Sequence, residues 1–185
     1  MSKPKMPLAA IPLVGRLLPL ALLLALAAPG AAAQAYQPRF GAGFDVMGGL
    51  PGQDVVPEGL GIGVRGRISV PVNRDVSLAG DLGFAGFVLG GRDDAGYVFN
   101  PQLSVILSFP RRETVRYLLG GFGGFIVSGD GDGFTEPEGG PAIHLGLGWA
   151  FPLNETSLFV ELNPSLVVGS EEATVVLPLR AGVIF

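Results

Sequence analysis

Apolar and polar residues alternate along most of this chain, and the alternation recurs eight times. Phe40, Ala42, Phe44, Val46 and Gly48 share one parity, with Asp45 on the other. Leu60, Ile62, Val64, Gly66, Ile68 and Val70 repeat the pattern against Arg65, Arg67 and Ser69. Val76, Leu78, Gly80, Leu82 and Phe84 stand against Ser77, Ala79 and Asp81, and Tyr97, Phe99, Leu103, Val105, Leu107 and Phe109 against Asn100, Gln102, Ser104 and Ser108. The segment 115–127 is apolar on both parities; Arg116 assigns its own parity to the polar face, which puts Tyr117 and Phe125 on the apolar one. Ile143, Leu145, Leu147, Trp149 and Phe151 follow, opposed by His144, then Leu158, Val160, Leu162 and Leu166, opposed by Glu161, Asn163 and Ser165. Val175, Leu177, Leu179, Ala181, Val183 and Phe185 end the series against Arg180. Side chains of a strand alternate between faces, so period two predicts eight strands, each with one apolar face. No stretch holds the 3.6-residue period of an amphipathic helix.

Two kinds of connection alternate between the strands. Those at 73–75, 110–114 and 152–156 are short. The others carry most of the acids: Asp54 and Glu58; Asp93 and Asp94; Asp130, Asp132, Glu136 and Glu138; Glu171 and Glu172. No linker divides the series, which predicts a single antiparallel meander. Pro101, Pro164 and Pro178 each remove a ladder donor within a strand, and local bulges are expected there.

Period two leaves open whether the apolar face points into a soluble barrel or out into lipid. The placement of aromatics decides for lipid. Phe40, Phe109, Tyr117, Trp149, Phe151 and Phe185 fall beside the short turns or the chain end. Phe84, Tyr97, Phe99 and Phe125 fall near the long connections. Between them the apolar face is aliphatic, as in two aromatic girdles bounding a hydrocarbon band. Glycine, 30 of the 185 residues, is abundant on the opposite face. It weakens a strand that faces bulk water but suits the narrow interior of an eight-stranded barrel.

The first residues read differently. Lys3, Lys5 and Arg16 precede an apolar run at 17–28 and small residues at 31–33, the build of a secretory signal cleaved before Gln34. Twelve residues of helix reach roughly 18 Å, short of the ~30 Å hydrocarbon core, so the run is not expected to anchor the chain. Residues 1–33 are therefore expected to be removed, leaving 36–185 as the barrel. Three of the 12 Lys and Arg lie in the leader, leaving nine arginines against 16 acids, a net charge of −7. Nucleic acid is not an expected partner of such a chain. The absence of cysteine excludes a disulfide framework, thiolate metal sites and a cysteine nucleophile.

Leader, eight amphipathic strands, short turns alternating with acidic connections, and the last strand Leu177, Leu179, Ala181, Val183 and Phe185 together resemble the small eight-stranded outer-membrane barrels of Gram-negative bacteria, the OmpA-, OmpX- and OmpW-like group. The resemblance implies an all-β, eight-stranded antiparallel up-and-down transmembrane barrel in the outer membrane. Both termini and the short turns would then be periplasmic, and the acidic connections would face outside, toward an unidentified ligand if any. It further implies outer-membrane lipid as surroundings. The aromatic-ended last strand becomes the signal read by the outer-membrane assembly machinery. No cofactor is expected.

Three sets of residues are candidates for chemistry. The connection 128–139 partly matches a calcium loop through Asp130, Asp132 and Glu136. Its first position is Ser128 instead of a carboxylate and its twelfth is Gly139, so a solvated acidic loop is expected and no metal. His144, the only histidine, should approach Asn163 or Ser165 within an interior polar network. No Gly-x-Ser-x-Gly elbow or phosphate loop accompanies it, and no enzyme is expected. The third set comes from hairpin arithmetic, because opposed residues in a hairpin have numbers of constant sum. It places Arg67 opposite Asp81, Glu161 opposite Arg180 and Asp45 opposite Arg65. If Phe185 closes beside Phe40, Arg180 also meets Asp45. The six charges would plug the lumen of a non-enzymatic envelope barrel. The alternatives are a channel for small or hydrophobic solutes and a lipid-modifying enzyme.

Overall fold

The computed structural model describes residues 37–49, 59–89, 96–129, 138–169 and 173–185. The leader and the connections bearing Asp54, Glu58, Asp93, Asp94, Asp130, Asp132, Glu136, Glu171 and Glu172, with the partial calcium pattern, lie outside the described residues. The described strand segments are β1 (Arg39–Gly49), β2 (Gly59–Pro71), β3 (Val76–Leu89), β4 (Gly96–Pro110), β5 (Val115–Gly129), β6 (Glu138–Leu153), β7 (Thr156–Leu162), β8 (Ser165–Val168) and β9 (Ala173–Ile184). All neighbours are antiparallel, and β9 pairs with β1, so the sheet closes into a barrel. β7 and β8 are one stave in two pieces, since β6 and β9 pass both in unbroken register. The barrel thus has eight staves. At the seam Phe40 and Phe185 exchange both backbone hydrogen bonds, at 2.9 and 2.8 Å.

The short turns follow from their residues. The Asn73 side-chain oxygen accepts from the amides of Asp75 and Val76 at 2.9 and 2.8 Å, an Asx turn. Asn154 takes the left-handed conformation, φ 39°, that asparagine tolerates better than most residues.

The three prolines do not produce the expected bulges. Register is the same on both sides of each, and among the described residues the one register shift lies instead at Leu60/Gly61. A missing donor leaves an orphaned carbonyl opposite, which a side chain can satisfy without an extra residue. Gly124, opposite Pro101, has its carbonyl bonded by the Asn100 amide at 2.8 Å. Asn163, opposite Pro178, has its carbonyl bonded by the Ser165 hydroxyl at 3.3 Å. Pro164 shows as the break between β7 and β8; its carbonyl still accepts from Leu145 at 3.1 Å.

The apolar faces point outward. Phe44, Val64, Leu82, Leu103, Ile143, Leu145 and Leu179 all stand exposed on the outer wall. A continuous wall of exposed Leu, Ile, Val and Phe is far larger than water tolerates on a soluble monomer, and its solvent is lipid. Phe40, Phe109, Trp149, Phe151 and Phe185 are exposed at the short-turn end, and Phe84, Tyr97 and Phe99 at the other, where Phe84 and Tyr97 stack with ring centroids 5.9 Å apart.

β5 runs with the opposite parity to that expected. Tyr117 and Phe125 are buried in the interior and do not belong to the girdles, while Leu118, Phe122 and Ile126 face out. Arg116 also faces out, one residue inside the rim. The cause is the turn. Pro110 pairs with Val115, so four residues separate the strands and Phe109 pairs with Arg116. Opposed residues share a face, so an outward Phe109 carries Arg116 outward. Phe44 and Phe122 stand at mid-strand, so the band between the girdles is not purely aliphatic.

Inward positions fall into three layers. On β4 the inward series reads Val98, Asn100, Gln102, Ser104, Ile106; on β7–β8 it reads Phe159, Glu161, Asn163, Ser165, Val167. Each is apolar, then polar, then apolar. Met47, Ala85, Phe87, Val98, Phe125, Val127, Ala142, Val167 and Val176 pack together toward the long connections. Ala79, Ile106, Tyr117, Leu119, Ala150 and Phe159 pack together toward the short turns. Glycines give the large inward groups their room. A Cβ on Gly83 would lie 2.8 Å from the Arg65 guanidinium carbon, and one on Gly148 would lie 2.6 Å from Tyr117 Cε2 and closer still to the ring's Cζ.

Candidate functional site

The middle layer gathers all six charged residues assigned to the interior. Arg67, directly opposite Asp81, donates from Nε to its Oδ1 at 2.7 Å. Arg180, opposite Glu161, donates from Nη1 to Oε1 at 2.8 Å. Arg180 is also opposite Asp45 across the seam, with Nε 3.7 Å from Oδ1. The register expected for Asp45 and Arg65 is different. Asp45 faces Gly63 and Arg65 faces Gly43, one step along the ladder. The pair forms on the diagonal, with Arg65 Nε and Nη2 at 2.8 and 2.7 Å from Asp45 Oδ2, because an arginine spans that step.

The contacts that weld these pairs together cross the lumen. Arg67 reaches from β2 to Glu161 on β7, with Nη1 to Oε2 at 2.9 Å and Nη2 to Oε1 at 3.2 Å. Tyr117 donates its hydroxyl to Glu161 Oε2 at 3.1 Å. Glu161 therefore accepts from two guanidinium groups and a phenol, and it is fully buried. Arg180 Nη2 donates to Gln102 Oε1 at 2.9 Å, and the Asn163 side-chain amide lies against the same guanidinium. Arg65 Nη2 donates to Asn100 Oδ1 at 2.8 Å. The Arg67 guanidinium carbon lies 5.5 Å from the Phe159 ring centroid, over the layer below.

Three arginines meet three carboxylates here, so the belt is neutral as a unit. An isolated charge buried in so narrow a lumen is costly, and each of the six has a partner of opposite charge, with Asp45 Oδ1, Asp81 Oδ2, Arg65 Nη1 and Arg180 Nε left without hydrogen bonds. The bond geometry is charge-assisted and bidentate where Arg67 meets Glu161, the strongest form available.

Sequence reasoning did not identify Tyr117, Gln102 and Asn100 as partners. Hairpin arithmetic relates only neighbouring strands, and these contacts join strands across the lumen. The four-residue turn at 111–114 was the available signal for Tyr117, since it fixes the parity of β5. His144 lies opposite Ser165 in register, but its ring Nε2 pairs with Ser104 Oγ at 3.0 Å. Both residues are buried. Leu177, Leu179, Ala181, Val183 and Phe185 form the outer face of β9 or end it at the seam.

No known protein-family model matches this sequence, and no curated protein does. Solved structures do share its architecture. Neisserial surface protein A superposes with a TM-score of 0.64 at 14% identity, over 80% of this chain and 95% of that one. A major outer membrane protein of Thermus thermophilus gives 0.54 at 16% identity, over 82% and 99%. The N-terminal β-barrel domain of Pseudomonas aeruginosa OprF gives 0.52 at 15% identity, over 80% and 97%. At such identities the likeness is one of fold, and the fold of this chain is that of the small eight-stranded outer-membrane β-barrels.

Proposed function

We propose that the chain is a non-enzymatic outer-membrane barrel whose lumen is closed by its charge belt, and which serves the cell envelope as a structural and surface-contact protein. One observation carries the reading: six buried charges, balanced in sign and bonded across the lumen, lie between two apolar layers. A conduit for ions or sugars needs a continuous wetted path, and each of the six charges already has an oppositely charged partner, while individual atoms such as Asp45 Oδ1 and Asp81 Oδ2 lack a hydrogen bond. The same burial argues against catalysis by Ser104 and His144, since a substrate must reach them. Residues 1–33 act as the export signal, the last strand is read by the assembly machinery, and both termini lie in the periplasm. The acidic connections then face outward.

The test has two parts. In an outer-membrane fraction the band should shift on a gel when heated, as a detergent-resistant barrel does. Liposomes loaded with the purified barrel should retain a small sugar as well as empty liposomes do. Sugar efflux that rises with barrel content would replace this reading with a channel.

A further inference from the structure

The short-turn rim carries a feature that the belt does not use. Arg116 faces outward from β5, on the wall that meets lipid, and it is exposed. Its register neighbours are aromatic on both sides: Phe109 on β4 and Trp149 on β6. Both are exposed members of the short-turn girdle. Arg111, Arg112, Glu113 and Thr114 in the adjoining turn complete an open cleft of about 460 Å³ with Arg116. Three guanidinium groups and one carboxylate give it a surplus of positive charge. An arginine on a lipid-facing wall is costly unless its head reaches the interface, and at the level of a Trp girdle it stands among headgroups.

We infer that this cleft binds the phosphate of a phospholipid headgroup in the leaflet at the short-turn end, with Arg116 as the principal ligand and Arg111 and Arg112 beside it. A guanidinium offers a planar pair of donors that matches phosphate oxygens. The Thr114 hydroxyl adds a neutral donor at the same edge. Phe109 and Trp149 hold the acyl chain side of the same lipid against the wall. Anionic phosphatidylglycerol is favoured over zwitterionic phosphatidylcholine, because the choline brings a second positive charge to a positive cleft. The inference rests on the reading of the chain as a bilayer-embedded barrel.

Trp149 is the only tryptophan in the sequence, so the molecule carries its own reporter at the site. The full barrel is reconstituted in phosphatidylcholine vesicles containing a low fraction of brominated lipid, which quenches a tryptophan it touches. Brominated phosphatidylglycerol should quench Trp149 as though enriched about five-fold over its bulk fraction, the scale of one arginine at a charged interface. Brominated phosphatidylcholine should quench in proportion to its fraction. The excess should disappear in Arg116→Gln, persist in part in Arg116→Lys, and survive millimolar inorganic phosphate, which would displace a site for free anion. Equal quenching by the two lipids, or an excess unchanged in Arg116→Gln, would overturn the site while leaving the barrel in its membrane. Absence of quenching by either lipid would overturn the membrane reading as well.

Discussion

Two adjacent layers of one lumen are filled in different ways. Toward the long connections, Met47, Phe87, Val98, Phe125, Val127, Val167 and their neighbours occupy space by volume alone. One step toward the short turns, Asp45, Arg65, Arg67, Asp81, Glu161 and Arg180 occupy it by paired donors and acceptors. An apolar layer accepts side chains of similar volume in other shapes, because dispersion contacts are numerous and undirected. The charge belt accepts only its own register, because a slip by one residue would move a charge into the lipid. The belt therefore ties particular strands together in one register, while apolar side chains fill the lumen above and below it.

The contrast can be broken at its hub. Glu161→Ala leaves Arg67 and Arg180 without their shared acceptor, and should cost about 3–5 kcal/mol, read as a lower denaturant midpoint for unfolding from lipid vesicles. A loss below about 1 kcal/mol would mean that the belt is held by something else. The outer wall offers a test next in size. Leu145, 70% exposed and far from either rim, becomes a buried cation in lipid as Leu145→Arg, with a cost of about 2–4 kcal/mol. The same change at Leu153, at the end of β6, should cost no more than about 1 kcal/mol. Equal costs would argue against a hydrocarbon band at this depth.

Smaller effects are expected at three further positions. Gly148→Ala drives a methyl into the Tyr117 ring and should destabilise by about 1–3 kcal/mol. Gly66→Ala, on the outer wall with nothing within 4 Å of the added carbon, should be neutral or stabilise by about 0.5–1 kcal/mol. Met47→Leu, a change of shape at near-constant volume in the apolar layer, should cost less than about 1.5 kcal/mol. All are measurable on the same unfolding curves. If Met47→Leu proved as damaging as Glu161→Ala, the distinction between the layers would fail.

How much of this was legible depends on the length of each turn. Arg67 and Asp81 flank the tight turn at 73–75, where the side-chain cap of Asn73 fixes the register, and constant-sum arithmetic finds them opposed. Asp45 and Arg65 flank the connection 50–58, whose centre cannot be read from composition, and the register came out one ladder step away. The pair survived because the arginine side chain is long. The face of β5 is ambiguous in the sequence because glycine and apolar residues fill both parities there; Arg116 points to the wrong face, and the even-numbered turn before it to the right one. A rim arginine is a poor marker of the inner face, since it can reach water or headgroups from outside. Glu161 opposite Arg180 was legible from the last hairpin, but its convergence with Arg67 and Tyr117 was not, because nothing in a linear pattern relates β2, β5 and β7 across the barrel.

Closure of the lumen by the belt has a direct electrical readout. Single-molecule conductance in a planar bilayer tests it most directly, with the wild-type barrel and Glu161→Gln side by side. The wild type should be silent, and Glu161→Gln should open briefly as the two arginines lose their shared counter-charge. A steady, ohmic step from the wild-type barrel would contradict it.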